Sequence, residues 1–263
     1  MSVTKPKNFN PALLTFSEVK QNQHGGKSVY VNYNDAALVV QTPRMHLPYG
    51  MNEEPITDST TGEQTGFKYS TNLSFRGMDR EHDASLDAKG RANARRLREL
   101  HEMLEAIEQK VIEEGVKNSS TWLGQPKGTP DAVVKVLFNP IIRKSKDPQT
   151  GEPNGKYPDT VKAKVGYYGG KFTTEVYGTP PEAPLDVKEN LVKGSVVGTL
   201  LKAMSVWFVN GKFGISFLVT QGQVSGPPPV QAGAGGGFAL MEDSESEEED
   251  SDSDDSDDDS DTD

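Results

Sequence analysis

Eight bases lie between Lys135 and Lys171: Lys135, Arg143, Lys144, Lys146, Lys156, Lys162, Lys164 and Lys171. Only three acids share the segment, and Phe138, Tyr157, Tyr167, Tyr168 and Phe172 are interleaved with the bases. Cations can track a phosphate backbone while aromatic rings stack on bases, at roughly 1–3 kcal/mol per base and with little regard for sequence. Taken singly, each lysine is an ordinary solvated side chain and each strand aromatic an ordinary core residue, so the signal is their density. Lys162 and Lys164 have the same parity and project together from a strand. Tyr168 joins them if the strand runs that far, and Tyr167 then faces the core. "RKSKDPQTGEPNGKYPD" (Arg143–Asp159) is long, polar and rich in turn residues, the kind of loop that carries binding. Arg44, with His46 and Tyr49 in "TPRMHLPYGMN", is a weaker candidate for lining a groove.

Other chemistries find no support. The chain has no cysteine, which removes disulfides, thiolate catalysis and Cys–metal sites. Its four histidines lack metal-ligand spacing, and neither a GxSxG nor a P-loop pattern occurs. "GAGGGF" (Gly233–Phe238) follows a proline-rich stretch rather than a strand, and reads as linker. Asp250, Asp252 and Asp254 imitate the start of an EF-hand loop that lacks its central glycine. The reading is a non-enzyme with no cofactor and no metal. No apolar run is long enough to span a membrane, and the N-terminus lacks the apolar stretch of a secretory signal.

The elements that must position these bases are mostly strands. "KSVYVNY" and "AALVVQT" flank the turn Asn34-Asp35. "GFKYSTNLSFR" puts Phe67, Tyr69, Thr71, Leu73 and Phe75 on one face. From about Ala84 to Glu114 the period changes: Leu97, Leu100, Leu104, Ile107 and Val111 recur at spacings of three and four, an amphipathic helix with Gly90 fraying its first turn and Gly115 as its stop. Strands resume in "AVVKVLFNPIIR", interrupted by Pro140, in two segments around Tyr168-Gly169-Gly170, and in "MSVWFV" and "KFGISFLV" around Asn210-Gly211. "FVNGKFGISF" reads as a hairpin with a core face, and Trp207 as core. No internal repeat is evident. One helix between two groups of strands suggests a small, partly open β-barrel, of which an oligonucleotide-binding (OB) barrel is one form. Propensity alone does not separate it from a sandwich. Whether the helix packs on its own barrel or builds a homodimer is open.

Charge divides the chain. It carries 39 acids and 28 bases, a net of −11, but 15 of the acids lie in residues 242–263. Without them, 24 acids face 28 bases, a net of +4. The expected organisation is a folded domain over 1–221, a Pro/Gly-rich linker over 222–241, and a disordered acidic tail over 242–263.

Several segments occurring in order resemble the single-stranded DNA-binding proteins of nucleocytoplasmic large DNA viruses, relatives of the corresponding podophage proteins. They are "ALVVQTPRMHLPYGMN" (Ala37–Asn52), "FNPIIR" (Phe138–Arg143), "LVKGSVVGTLLKAMSVWFVNGKFGISFLVTQ" (Leu191–Gln221) and the acidic terminus. The resemblance covers roughly residues 30–225. It implies an OB fold with a helix joining two strand groups, and coating of single strands in viral replication, recombination and repair. It further implies an intracellular setting, at replication sites in the nucleus or a cytoplasmic factory. In the podophage relatives an aromatic residue ends the tail; here the end is Asp-Thr-Asp and the nearest aromatic is Phe238, so that docking mechanism does not transfer.

The tail, from Glu242 through Asp250 to Asp263, then reads as a tethered competitor for the DNA groove that also recruits polymerase, helicase or primase. Linker and tail together span roughly 35 Å as a coil, at an effective concentration on the order of millimolar. Ser244, Ser246, Ser251, Ser256 and Ser260 each have an acid three residues on, a pattern suited to acidophilic kinases, and each phosphate would add about −1.5 to −2 charges. The alternative is an acidic-tailed chaperone of histones or other basic proteins, which needs no basic groove. A capsid protein with a solubilising tail is a third reading.

Overall fold

The computed structural model describes residues 2–21, 25–58 and 60–225; the tail, its candidate serines and "GAGGGF" lie outside them. Strands dominate. β1 (Lys27–Tyr33), β2 (Val39–Gln41), β3 (Met45–His46), β4 (Met51–Thr57) and β5 (Gln64–Ser74) precede the long helix α1 (Ala88–Lys117). The short helix α2 (Asp131–Leu137) follows, then β6 (Ile142–Arg143), β7 (Thr160–Val165), the small pair β8 (Tyr167–Tyr168) and β9 (Lys171–Phe172), and β10 (Glu175–Tyr177). Two long strands, β11 (Val196–Val209) and β12 (Lys212–Ser225), follow, and shorter strands at Leu14–Phe16, Lys20–Gln21, Ala36–Ala37 and Pro184–Leu185 lie outside this numbering.

Pairing runs in a ring. β11 pairs with β12, β12 with β7, β7 with β5, β5 with β3, and β3 with β11. Within it only β7 and β12 are parallel. β2 extends the first strand along β11. The β3–β5 seam is a single residue pair, His46 opposite Ser74, so the barrel is partly open there. In chain order the ring reads first, second, third, fifth, fourth and back to first, the Greek-key connectivity of an OB barrel.

β7 shows how alternation builds the wall. Val161, Ala163 and Val165 point inward and are buried, while Thr160, Lys162 and Lys164 face out. On β5, Tyr69, Thr71 and Leu73 are buried as the alternation predicts, and Phe75 is buried just beyond it. Phe67, at the free end of the ribbon, is 38% exposed. The turns at Asn34-Asp35 and Asn210-Gly211 both form, with the paired positive φ angles (48° and 60°, 50° and 72°) that a two-residue hairpin needs. β12 runs on to Ser225, beyond the expected start of the linker at Gly222.

α1 begins later than the periodicity predicts. The Asp87 carboxylate caps it by accepting the Gly90 N–H at 2.7 Å, so Gly90 sits in an intact first turn. Leu97, Leu100, Leu104, Ile107 and Val111 are buried within the chain. Gly115 is not the stop. It lies inside the helix, where a Cβ would stand 3.0–3.2 Å from the Phe213 ring and Val134; the missing side chain lets α1 press against β12. The helix continues to Lys117.

"AVVKVLFNPIIR" is the main misreading. Its first part is α2, not a strand. Val134 and Phe138, four apart, are buried, while Val133 and Val136 are exposed, a helical period hidden in a β-branched run. Pro140 lies in the link to β6. Trp207 is only half-buried; the tryptophan in the core is Trp122, between Phe16 and Phe208.

Candidate nucleic-acid interface

The outward faces of β5 and β7 form one continuous surface. Directly opposed residues share a side of the sheet, and the register gives three rows, in which Ser70 (7% exposed) and Ser74 (4%) are themselves covered and the cations and Asn72 reach the surface. Ser70 stands opposite Lys164, Asn72 opposite Lys162, and Ser74 opposite Thr160. The rows extend sideways: Asn52 of β4 opposes Ser70, Leu218 of β12 opposes Lys164, and Arg143 of β6 opposes Thr160. Lys68 lies one step further along β5, opposite Glu54. The period that buries Val161, Ala163 and Val165 therefore lines up Lys164, Lys162 and Arg143 outside.

Aromatic groups flank both ends. Beyond β7, Gly166 ends the strand by donating its N–H to the Thr174 hydroxyl at 2.7 Å. The β8–β9 hairpin follows, with Tyr168 opposite Lys171 and Tyr167 opposite Phe172. Tyr168 is 85% exposed. Tyr167 packs edge-on against Tyr69 (4.8 Å) and Phe172 (5.0 Å). The expected opposition of the two tyrosines thus holds, but a separate hairpin produces it, not an extension of β7.

The other end carries the 143–159 loop, which is a folded finger. Asp147 N donates to Glu152 O (2.8 Å), Asn154 N to Ser145 O (3.0 Å), and Tyr157 N to the Ser145 hydroxyl (3.2 Å). Lys144, Lys146, Lys156 and Tyr157 are exposed on it, and Lys156 lies over the Tyr157 ring at 5.5 Å. Its tip, "DPQTGE", is matched by "DSTTGE" at the β4–β5 tip, a short repeat that the sequence reading missed. Asp147 accepts Gln149 N and Thr150 N at 2.8 and 3.0 Å; Asp58 accepts Thr60 N and Thr61 N at 2.7 and 2.9 Å. These backbone bonds hold both carboxyls below the usual aspartate range.

Helix α1 fixes the base of the finger. The Glu108 carboxylate accepts the N–H groups of Ile141 and Ile142, the latter at 2.9 Å, immediately before Arg143. Burial pushes the Glu108 carboxyl up, against the opposing pull of those two bonds. His101 reaches Asp159 at 3.1 Å, pinning the finger's return to β7.

One acid lies within the basic surface. Glu54 takes Lys68 at 2.9 Å, Lys162 at 3.2 Å and the Asn52 amide at 2.9 Å. The hydrogen bonds from Lys68 and then Lys162 hold its carboxyl below the usual range. Lys164 is exposed and makes no ion pair among the described residues.

Nine of the eleven sequence candidates therefore gather on this surface and its two ends: Arg143, Lys144, Lys146, Lys156, Tyr157, Lys162, Lys164, Tyr168 and Lys171. Lys135 does not, because it belongs to α2, which packs on α1. Arg44 lies between β2 and β3, its backbone N–H and carbonyl both bonded to Asn93 of α1 at 3.1 Å. The sequence reading missed Lys68, Asn72, Asn52 and Glu54. The signal was the polar parity of "GFKYSTNLSF", which alternates with the apolar parity that was read.

No protein-family model matches this chain, and no curated protein does. Solved structures give loose likenesses. The single-stranded DNA-binding protein from bacteriophage Enc34, in complex with ssDNA, is 15% identical over 81% of this chain and 96% of its own, with a TM-score of 0.37. Gp2.5, a single-stranded DNA-binding protein encoded by bacteriophage T7, is 10% identical over 78% of this chain and 100% of its own, with a TM-score of 0.38. Superpositions this loose carry no residue across, and the reading of the site rests on the sheet face itself.

Proposed function

We propose that this chain binds single-stranded nucleic acid along the outward face of β5 and β7. The observation that carries the reading is the alignment of Lys164 and Lys162, on the third strand of an OB barrel, with Arg143 of the adjoining β6, between exposed Tyr168 and Tyr157. That is the face on which OB barrels take oligonucleotides. Backbone-tracking cations with stacking rings at either end suit a strand held without sequence readout.

In its fuller form the proposal is a viral coat for single-stranded DNA in replication, recombination and repair, acting at replication sites in the host cell without enzymatic activity of its own. The domain of 1–221, extended by the last residues of β12, does the binding. The acidic tail competes for the face and, once displaced, recruits polymerase, helicase or primase. Phosphorylation of Ser244, Ser246, Ser251, Ser256 and Ser260 would strengthen that competition.

The test is an anisotropy titration of labelled oligo-dT and a matched duplex over a salt series. The full chain, a 1–241 truncation and Lys164→Glu are compared. The expected result is preference for the single strand, tighter binding by the truncation at low salt, and weaker binding by Lys164→Glu. Absence of binding by full chain and truncation alike overturns the proposal and moves the basic-protein chaperone forward. Equal affinities of full chain and truncation at every salt remove the competing tail alone.

A further inference from the structure

The three donors around Glu54 form a cradle: two ammonium groups and one amide converge on a single carboxylate, all on the outward side of the face proposed to hold the strand. None of the four side chains is fully buried; Glu54 is 35% exposed and Lys162 34%. Lys162 reaches Glu54 diagonally across β5, although its direct opposite is Asn72. Lys164, two residues along β7 and so roughly 7 Å away, points to the same side and holds no carboxylate among the described residues. A strand laid along β7 therefore meets one open cation and one already engaged. A phosphodiester oxygen is an acceptor of the same charge as the carboxylate and fits the same donors.

We infer that Glu54 is a built-in competitor for a nucleic-acid phosphate, occupying the Asn52–Lys68–Lys162 cradle until bound strand displaces it. The inference rests on the proposed binding face and adds a residue that sets how tightly that face binds. Its effect is to hold affinity below what the lysines could give, and to make release easier. The plain alternative is a brace, in which Glu54 ties β4 to β7 and its loss loosens the ribbon.

The two roles predict opposite signs. With the full chain and oligo-dT, Glu54→Gln is expected to bind about 2- to 10-fold more tightly at low salt, the range set by releasing two partly exposed ion pairs. Lys162→Gln is expected to weaken binding by less than about 2-fold in the natural chain, where Lys162 is already engaged, and to abolish the gain in the Glu54→Gln background. Unchanged or weaker binding by Glu54→Gln, with thermal melting reporting its fold, overturns the inference in favour of the brace. So does an equal loss from Lys162→Gln in both backgrounds. If neither the natural chain nor Glu54→Gln binds oligo-dT, the inference falls together with the proposed function.

Discussion

Tyr167 and Tyr168 are neighbours in sequence and should behave as opposites. Tyr168 is 85% exposed, its nearest cross-strand companion being Lys171. Truncating it removes almost no buried surface, so Tyr168→Ala should change stability by no more than about 0.5 kcal/mol. If its ring stacks on a base, the same change costs about 1–3 kcal/mol of binding, a loss of about 5- to 150-fold in affinity. Tyr167 packs against Tyr69 and Phe172. Each such pair is worth about 0.5–1.5 kcal/mol, and the lost burial adds to it, so Tyr167→Ala should cost about 2–4 kcal/mol of stability. Urea denaturation and oligo-dT anisotropy, run on both variants, separate the effects. Unchanged affinity in Tyr168→Ala would refute stacking at this hairpin. A stability loss there as large as that of Tyr167→Ala would refute the assignment of the two rings to different roles.

Two further predictions concern the frame. Glu108 has its carboxyl raised by burial, so the fold favours its protonated form. That contribution is fully present below the ordinary glutamate value and is lost as pH rises through the higher folded value. Glu108→Gln, which keeps an oxygen for Ile141 and Ile142, should flatten that part of the stability–pH curve in urea midpoints; an unchanged slope would show that Glu108 is not its source. Gly115→Ala should destabilise by about 1–3 kcal/mol, despite alanine's helix advantage of about 1 kcal/mol, because its Cβ meets Phe213 and Val134. A raised melting temperature would mean that Phe213 can yield.

Much of the frame was legible because it rests on simple periods. The alternation of β5, the heptad-like run of α1 and the turn at Asn210-Gly211 follow from local chemistry. The parity of Lys162 and Lys164 carried over directly to the outer wall of β7. What failed was what depends on distant partners. Gly115 looks like a stop until Phe213, far along the chain, presses on it. Residues 132–137 would satisfy a strand as well as a helix, and only the burial of Val134 against α1 decides between them. Glu54 is an ordinary acid on a ribbon until folding brings Lys162 beside it. Local pattern shows which side of a strand is polar, but not which neighbour stands there.

β12 has a consequence for how the protein is made. It pairs with β11, β7 and β10, and is the last strand of the described chain to be synthesised. Until it inserts, β7 and β11 each keep an unpaired edge, the kind that templates aggregation. Ser74–Thr160 and Val40–Leu201 are pairings between remote parts of the sequence, and such pairings form slowly. The surface that carries Lys162 and Lys164 is thus stabilised last, by a strand that contributes only Leu218 to its rows. Substitutions in β12 would then be expected to surface as insoluble or binding-deficient protein, though they touch none of the cations.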